Sequence, residues 1–326
     1  MKRYKWAILG AGHIAEKFSD GLKSCPQAQR YAVASRSLEK AEAFRQQYGF
    51  EKAYGSYEEM LVDPSVDIVY VATPNNLHFE HTIMSLHAGK AVLCEKPFGL
   101  NGEQVERMIE TAKEKHLFLM EALWSRFLPS MLGIKSEMER KLIGKPMLLQ
   151  ADFGFKATYD SGSRLFNPNL GGGSVFDIGI YPLFLSLYLF GYPNDIKVTS
   201  IPAPSGTDMT TSILLRHKGG EVSVLTSSFA MRTESEAKVY GENGCLRLGR
   251  MFHMPTDLTY KIGDEQENKI DIQSTGNGYN YEAMEVMKCL DEGRTESLLL
   301  PFSFSKELIS LIDKVNALIN KENKIK

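Results

Sequence analysis

Short apolar segments alternate with helical segments over residues 1–122. Five of them, "KWAIL", "QRYAVAS", "DIVYVATP", "AVLCEKP" and "LFLMEAL", have the length and apolar content of buried strands, and segments with helical spacing separate them. Strands that alternate with helices are joined by right-handed crossovers and form a parallel sheet covered on both faces. The sequence therefore predicts an α/β fold class, with a doubly wound parallel sheet over residues 1–122.

The pattern changes after residue 122. Runs of alternating polar and apolar residues, such as "TTSILLRH" and "EVSVLTSSFAM", are joined by turn residues, which indicates a mostly antiparallel sheet. Helical segments follow at residues 279–292 and 303–320, so we predict a C-terminal α+β domain over residues 123–326 with a large open sheet. Because few helices cover this sheet, one face is expected to stay open. We expect that face to join copies of the chain into a homodimer or homotetramer.

Composition and charge argue against two classes of partner. A formal net charge of −2 gives no electrostatic attraction to nucleic acid or to an anionic membrane. No apolar stretch is expected to reach the ~20 residues of a membrane-spanning helix, and glycines interrupt the first apolar run too early for a signal peptide. The widely spaced Cys25, Cys94, Cys245 and Cys289 fit reduced thiols. Together these features predict a cytoplasmic protein with a small-molecule substrate.

The segment "GAGHIA" follows the first strand and has the pattern G-x-G-x-x-A in Gly10, Gly12 and Ala15. The first glycine allows a tight turn, the second lets the backbone approach a pyrophosphate, and the small third residue allows the helix to pack on the strand. The helix N-terminus offers N–H groups to phosphates. We therefore predict a nucleotide-binding Rossmann domain, with His13 and Ile14 of this loop also at the cofactor. A glycine turn without a ligand is the alternative.

The end of the second strand bears on the choice of cofactor. NAD-binding domains commonly carry Asp or Glu there, which binds the ribose 2′-hydroxyl. This strand ends in "VASRS", with Ser35 and Arg36 and no acid. Because a hydroxyl and a guanidinium suit a phosphate dianion, we predict NADP, with NAD possible. The alternative is that Arg36 is an ordinary surface residue.

Glu95 and Lys96 follow the apolar run "AVLC" directly, and Pro97 prevents the strand from continuing. Charged residues are seldom buried unless they are paired, and open α/β sheets bind ligands at the carboxyl ends of their strands. The pattern predicts that Lys96 is delivered to a ligand site at that end, with Glu95 orienting it. An ordinary exit into solvent is the alternative.

Four motifs, "GAGHIA", "ATPNNLH", "AGKAVLCEKP" and "GGGSVFDIGIY", together resemble the Gfo/Idh/MocA oxidoreductase family. The segment "EALWSRFLP" and the tyrosine of "DIGIY" are similar to its dimeric dihydrodiol dehydrogenase and NADP-dependent D-xylose dehydrogenase branch. Many members of the family have histidine where this chain has Tyr181, which weakens an inositol-type assignment. The resemblance also suggests a cis bond between Lys96 and Pro97.

The resemblance assigns roles to residues of this chain. The implied cofactor-binding residues are Gly10, Gly12, His13, Ile14, Ala15, Ser35, Arg36, Thr73, Asn75, His78, Glu95 and Lys96. The implied substrate residues are Trp124, Arg126, Asp177 and Tyr181, and the implied catalytic residues are Lys96, Tyr181 and Asp177. The alternative for Asp177 is an ordinary helix cap or surface ion pair, and the alternative for Tyr181 is a core aromatic residue.

An alcohol that loses hydride to a nicotinamide must also lose its hydroxyl proton. Tyr181 is a poor base at its ordinary pKa of ~10, but a nearby ammonium such as that of Lys96 favours the phenolate. In a helix begun by Gly171–Gly173, Asp177 and Tyr181 are spaced to share one face.

These features predict hydride transfer between NADP and a secondary or anomeric hydroxyl of a sugar or vicinal diol. An NAD-linked polyol dehydrogenase and a non-catalytic NAD(P)-binding sensor are the alternatives. His78, His81 and His87 share a helix, but no further ligand set accompanies them, so we predict no metal.

Overall fold

A computed structural model describes residues 2–323 of the chain. The chain divides into two compact units. The first contains the residues up to 127 together with residues 275–306, and the second contains residues 128–274 together with those from 307 onward.

The first unit is built on a parallel sheet. Within residues 2–323 its six strands are β1 (Tyr4–Leu9), β2 (Ala28–Ala34), β3 (Lys52–Tyr54), β4 (Ile68–Val71), β5 (Ala91–Glu95) and β6 (Leu119–Ala122). Their order is β3-β2-β1-β4-β5-β6, and every pair is parallel. This is the strand order of a dinucleotide-binding sheet, so the predicted doubly wound sheet is confirmed. The edge strand β3 was not predicted, because three residues are too few to show a period.

The helices between these strands are α1 (His13–Leu22), α2 (Leu38–Tyr48), α3 (Tyr57–Leu61), α4 (His78–His87) and α5 (Gly102–Glu114). Three of these helices have a side-chain cap at the N-terminus: Ser37 accepts from Lys40 N at 3.3 Å, Ser56 from Glu59 N at 3.2 Å and Asn101 from Gln104 N at 3.0 Å. Such caps satisfy N–H groups that the first turn of a helix leaves unbonded. Local sequence signals therefore set where these helices begin.

The second unit begins with α6 (Pro129–Glu139) and contains an eight-stranded sheet among the described residues. Its strands are β7 (Pro146–Gly154), β8 (Asp195–Pro202), β9 (Asp208–Arg216), β10 (Val222–Ser228), β11 (Ala237–Gly241), β12 (Gly244–Leu248), β13 (Leu258–Ile262) and β14 (Asn268–Ile270). The order is β14-β13-β12-β11-β7-β10-β9-β8. β7 and β10 run parallel and the other neighbours antiparallel, so the predicted mostly antiparallel sheet is confirmed.

The expectation that no apolar stretch reaches membrane-spanning length is wrong for Pro168–Phe190. This 23-residue stretch contains a 3₁₀ turn at Pro168–Leu170 and a π turn at Val175–Gly179 before it ends in α7 (Ile180–Phe190), and it is long and apolar enough to cross a membrane. However, 83% of the most apolar 18-residue part is buried inside the protein. A helix that is apolar all round can serve as a core helix of a large domain, and its burial explains the composition here.

Two helices lie near the end of the chain, as predicted. They are α8 (Tyr279–Asp291) and α9 (Phe302–Asn323). In the first unit α8 packs against α1 so closely that a Cβ atom on Gly21 would lie 2.8 Å from Cβ of Tyr279. Glycine at this position is what permits the contact, since real Cβ atoms do not approach so near.

Candidate active site

The glycine-rich loop joins β1 to α1 and shows why each glycine is needed. Gly10 has a φ of +106°, which L side chains rarely adopt, and a Cβ there would lie 2.9 Å from the Ala72 carbonyl oxygen at the end of β4. At Gly12 a Cβ would meet nothing within 4 Å. The loop therefore packs tightly on one side and leaves room on the other for a pyrophosphate.

The N-terminus of α1 is suited to binding an anion. Gly12 is its N-cap residue and supplies no side-chain cap. The first N–H groups of a helix have no carbonyl partner within it, and the positive end of the helix dipole adds to their attraction for phosphate. His13 is exposed and lies 3.2 Å from Glu16, Ile14 is half-buried, and Ala15 is fully buried against the sheet. This arrangement fits the diphosphate of a dinucleotide.

Ser35 and Arg36 lie just beyond the carboxyl end of β2, as predicted. Ser35 is buried and Arg36 is exposed. Burial lowers the pKa of His81, and the positive charge of Arg36 lowers it further by a smaller amount. Burial raises the pKa of Tyr57, and there the Arg36 charge acts in the opposite direction. The His81 and Tyr57 rings meet edge to face at 4.9 Å. Arg36 is thus an exposed positive charge just beyond β2 whose field acts on His81 and Tyr57.

His78 begins α4 and links two loops of the predicted nicotinamide half. Its Nδ1 lies 2.7 Å from the Pro97 carbonyl oxygen, and its Nε2 lies 2.9 Å from the Thr73 carbonyl oxygen. Burial lowers the pKa of His78 to about 4, so the ring is neutral at neutral pH and has one N–H to donate. Thr73 Oγ1 is in turn 3.0 Å from His81 Nδ1, and Asn75 starts the short turn before α4.

Glu95 is the last residue of β5 and is 5% exposed. One carboxyl oxygen accepts a hydrogen bond from the Tyr70 hydroxyl of β4, and the other lies 3.1 Å from the Lys96 backbone nitrogen, which donates to it. The Lys96–Pro97 bond is cis, as the resemblance suggested. The predicted role of Glu95 therefore has a structural basis: it anchors the backbone from which the Lys96 side chain projects.

The turn after Pro97 is held by an acid that the sequence did not single out. Glu121, on β6, accepts from Phe98 N at 3.2 Å through one oxygen and from the Ser305 hydroxyl at 2.7 Å through the other. Burial raises the pKa of Glu121 to about 7. Two buried acids on adjacent strands, Glu95 of β5 and Glu121 of β6, thus bind the backbone of the Glu-Lys-Pro turn and fix the path of that backbone.

Trp124 and Arg126 lie in a short helical turn directly after β6. The indole of Trp124 stacks on the ring of Tyr279 of α8, with centroids 4.2 Å apart and planes 6° apart. Arg126 is 8% exposed. Both therefore lie at the same sheet edge as Lys96, Thr73 and the glycine loop. Sequence reasoning missed Tyr279, which is far away in the chain and has no motif around it.

In the second unit the structure places Asp177 and Tyr181 in one helical segment. Asp177 accepts from Arg164 Nη1 at 2.7 Å, and Arg164 was not predicted. Tyr181 is 6% exposed, and its ring lies 5.9 Å from that of Phe153 and 4.8 Å from that of His253. His253 comes from the β12–β13 connection, and no sequence signal marked it.

The expected α-helical spacing of Asp177 and Tyr181 is wrong in detail. The helical segment does not begin at Gly171–Gly173, and it starts as a π-helix at Val175–Gly179 before becoming α7. A π turn contains more residues than an α turn, because its hydrogen bonds join residues i and i+5. Four residues are therefore less than a full turn here, and the two side chains are displaced around the axis from the expected stripe. π turns occur frequently at functional sites.

No group of three or more His, Cys, Asp or Glu residues within residues 2–323 is placed to hold a metal ion. His78 and His81 instead bond to Thr73, through its carbonyl and its hydroxyl.

Comparison with protein families identifies both the N-terminal and the C-terminal part of the chain. The family model described as an oxidoreductase family with an NAD-binding Rossmann fold, GFO/IDH/MocA, matches residues 4–123. The model of the GFO/IDH/MocA C-terminal domain matches residues 131–247.

Individual relatives give the same result. The trans-1,2-dihydrobenzene-1,2-diol dehydrogenase of Mus musculus is 35% identical over 97% of this chain and 96% of its own length. The aldose-aldose oxidoreductase of Caulobacter crescentus, solved with glycerol, has a TM-score of 0.90 at 24% identity over 98% of both chains. KijD10, a 3-ketoreductase from Actinomadura kijaniata solved with NADP and TDP-benzene, has a TM-score of 0.86 at 23% identity over 98% of both chains. At these identities the two structures show a shared fold.

Proposed function

Because the chain belongs to the Gfo/Idh/MocA family of NAD(P)-dependent oxidoreductases, we propose that it transfers a hydride between NADP and a secondary or anomeric hydroxyl of a sugar or vicinal diol. The supporting observation is Lys96. It follows β5 at the carboxyl edge of the sheet, and the neighbouring strand β4 ends against the open glycine loop. An ammonium group at that edge suits a reaction in which charge develops on a substrate oxygen.

The nicotinamide, when bound, accepts or donates the hydride. The protein must then move one proton to or from the substrate oxygen and stabilise the charge that develops on it. We assign the proton to the Tyr181 hydroxyl and the charge stabilisation to the Lys96 ammonium. Asp177, held by Arg164, and the stacked pair Trp124–Tyr279 offer polar and aromatic surfaces for a polyhydroxylated substrate.

The Arg36→Ala variant is expected to bind NADPH about tenfold more weakly and NADH almost unchanged, which is a loss of ~1.4 kcal/mol for NADPH alone. The reason is that the guanidinium would bind the 2′-phosphate that distinguishes the two cofactors. Fluorescence titration of parent and variant with each cofactor measures the effect. Arg45→Ala is the matched control, because Arg45 belongs to α2 and pairs with Glu42 at 2.6 Å.

Preferential binding of NADPH by the parent protein, lost in Arg36→Ala, would support the NADP assignment. Equal affinities in the parent would remove it and favour the NAD-linked polyol dehydrogenase.

Turnover is tested with a panel of aldoses, inositols and vicinal diols, and the absorbance of the reduced cofactor is followed. Cofactor binding with no turnover on any member would instead favour the non-catalytic sensor.

The open face of the eight-stranded sheet supports the proposal of a homo-oligomer. Val224 and Leu214 face each other across β10 and β9 and are 40% and 42% exposed. Apolar side chains paired on an open sheet face suit an interface with a second copy. The Leu214→Lys variant is therefore expected to sediment as a smaller species than the parent. Leu298→Lys is the control, because Leu298 is 69% exposed and lies outside this sheet, and this variant is expected to sediment like the parent.

A further inference from the structure

A buried acid lies under the start of the helical segment that carries Asp177 and Tyr181. Asp208, the first residue of β9, is 7% exposed. One of its carboxyl oxygens accepts three hydrogen bonds: from the Ser174 hydroxyl at 2.6 Å, from Val175 N at 2.8 Å and from the Thr211 hydroxyl at 3.2 Å. The acid therefore binds the helical segment where the π turn begins.

Gly173 has the backbone that this contact requires. Its φ is +123°, and a Cβ atom there would lie 2.2 Å from the second carboxyl oxygen of Asp208. No side chain can occupy that space while Asp208 keeps its position. The last glycine of "GGG" thus allows the carboxylate to approach the first turn.

A second set of bonds fixes the same turn to the sheet. The Ser174 and Ser227 hydroxyls lie 2.8 Å apart, and Ser174 is fully buried. A Cβ on Gly179 would lie 3.0 Å from the Ser227 hydroxyl, so the helical segment lies directly on β10. These contacts leave little freedom for the segment to slide or to rewind as a regular α-helix.

We propose that Asp208 is a positioning residue for Asp177 and Tyr181, because it anchors the π turn from which both side chains project. This inference rests on the proposed function for its catalytic consequence. Asp208 acts on the turn through the Ser174 hydroxyl and the Val175 backbone. A displacement of about 1 Å in a reacting group can lower a rate by orders of magnitude, so such an anchor is expected to matter for turnover.

The Asp208→Ala variant is expected to lower kcat by about tenfold while NADPH binding stays at the parent value, since the anchor and the nucleotide loop belong to different compact units. Asp208→Asn keeps an acceptor for Val175 N, as Asn and Asp serve nearly equally as caps, and is expected to recover most of kcat. Ser186→Ala is the matched control, because Ser186 lies on the same helix and binds Ser223 at 2.8 Å. It is expected to lower the melting temperature without lowering kcat.

Ser174→Ala removes one of the three bonds to Asp208 together with the contact to Ser227, and it serves where Asp208→Ala does not fold. An unchanged kcat in the folded variants, or an equal fall in Ser186→Ala, would overturn the inference. A parent protein without turnover on any substrate would count against the proposed function instead. Hydrogen exchange of residues 175–181 then tests the anchor by itself: faster exchange in Asp208→Ala than in Ser186→Ala supports it, and equal exchange overturns it.

Discussion

The Tyr181→Phe variant is expected to lower turnover by about 10²–10⁴-fold, the range for loss of a positioned proton-transfer group, and the Lys96→Met variant by about 10²–10³-fold, the range for loss of a group that stabilises developing charge. Methionine keeps the length of the side chain and removes the ammonium that stabilises a developing alkoxide. Phenylalanine keeps the ring that packs on Phe153 and His253 and removes the hydroxyl that would carry the proton. Stopped-flow measurement of hydride transfer, beside NADPH titration, separates loss of chemistry from loss of cofactor binding.

Lys90→Met is the matched control for Lys96→Met. Lys90 immediately precedes β5, so it marks the opposite end of the strand that Lys96 follows. Its ammonium donates to the carbonyl oxygens of Asp63 and Val66 at 2.7 and 3.0 Å. This variant is expected to unfold more easily and to turn over normally. Turnover of Lys96→Met within about threefold of the parent, far from the range for a positioned group, would remove Lys96 from the reaction.

The first unit could be predicted closely from the sequence because its signals are local. Strand and helix periods, the caps at Ser37, Ser56 and Asn101, and the glycine loop each involve a few neighbouring residues. The carboxyl ends of parallel strands share one edge, so the sequence position of a residue directly after a strand is enough to assign it to that edge. The edge strand β3 escaped prediction because it is so short.

The surroundings of the site residues could not be predicted, since they depend on contacts between distant parts of the chain. Tyr70 bonds to Glu95 across adjacent strands, and Tyr279 stacks on Trp124 from a helix more than a hundred residues later. Nothing around Tyr279 in the sequence indicates that contact. The π turn before α7 also involves a contact with a distant residue. The spacing of Asp177 and Tyr181 suggested an α-helix, but the segment that binds Asp208 begins as a π-helix.

One residue of the first unit opposes stability. Glu282 of α8 is fully buried, and neither of its carboxyl oxygens has a hydrogen-bond partner among residues 2–323. Burial first, and then the charge of Glu95, raise the pKa of Glu282 well above its ordinary value. A buried carboxyl without partners favours its neutral form. Glu95, by contrast, accepts hydrogen bonds from both Tyr70 and the Lys96 backbone, so the two acids differ in their partners.

The Glu282→Gln variant is expected to be more stable than the parent at neutral and alkaline pH. The unfolded parent loses the Glu282 proton above pH ~4.3, whereas the folded parent keeps it. The stability that Glu282 contributes is therefore fully present below that pH and is lost as the pH rises. Glutamine has no proton to lose. The folding equilibrium constant of the variant, divided by that of the parent, should thus increase by up to about tenfold per pH unit above ~4.3. The increase stops where Glu282 also ionises in the folded parent.

Urea unfolding of both proteins at several pH values between 5 and 8 measures this difference. Glu285→Gln is the matched control: Glu285 lies one turn later on α8 and accepts from the Ser297 hydroxyl, so its replacement is expected to weaken the fold. A stability difference between Glu282→Gln and the parent that is the same at every pH would show that Glu282 ionises as readily in the folded protein as in the unfolded one. The expected rise in the pKa of Glu282 on burial would then be wrong. A gain that grows with pH would instead show that burial keeps Glu282 protonated in the folded protein, so that its carboxyl adds no negative charge beside Glu95.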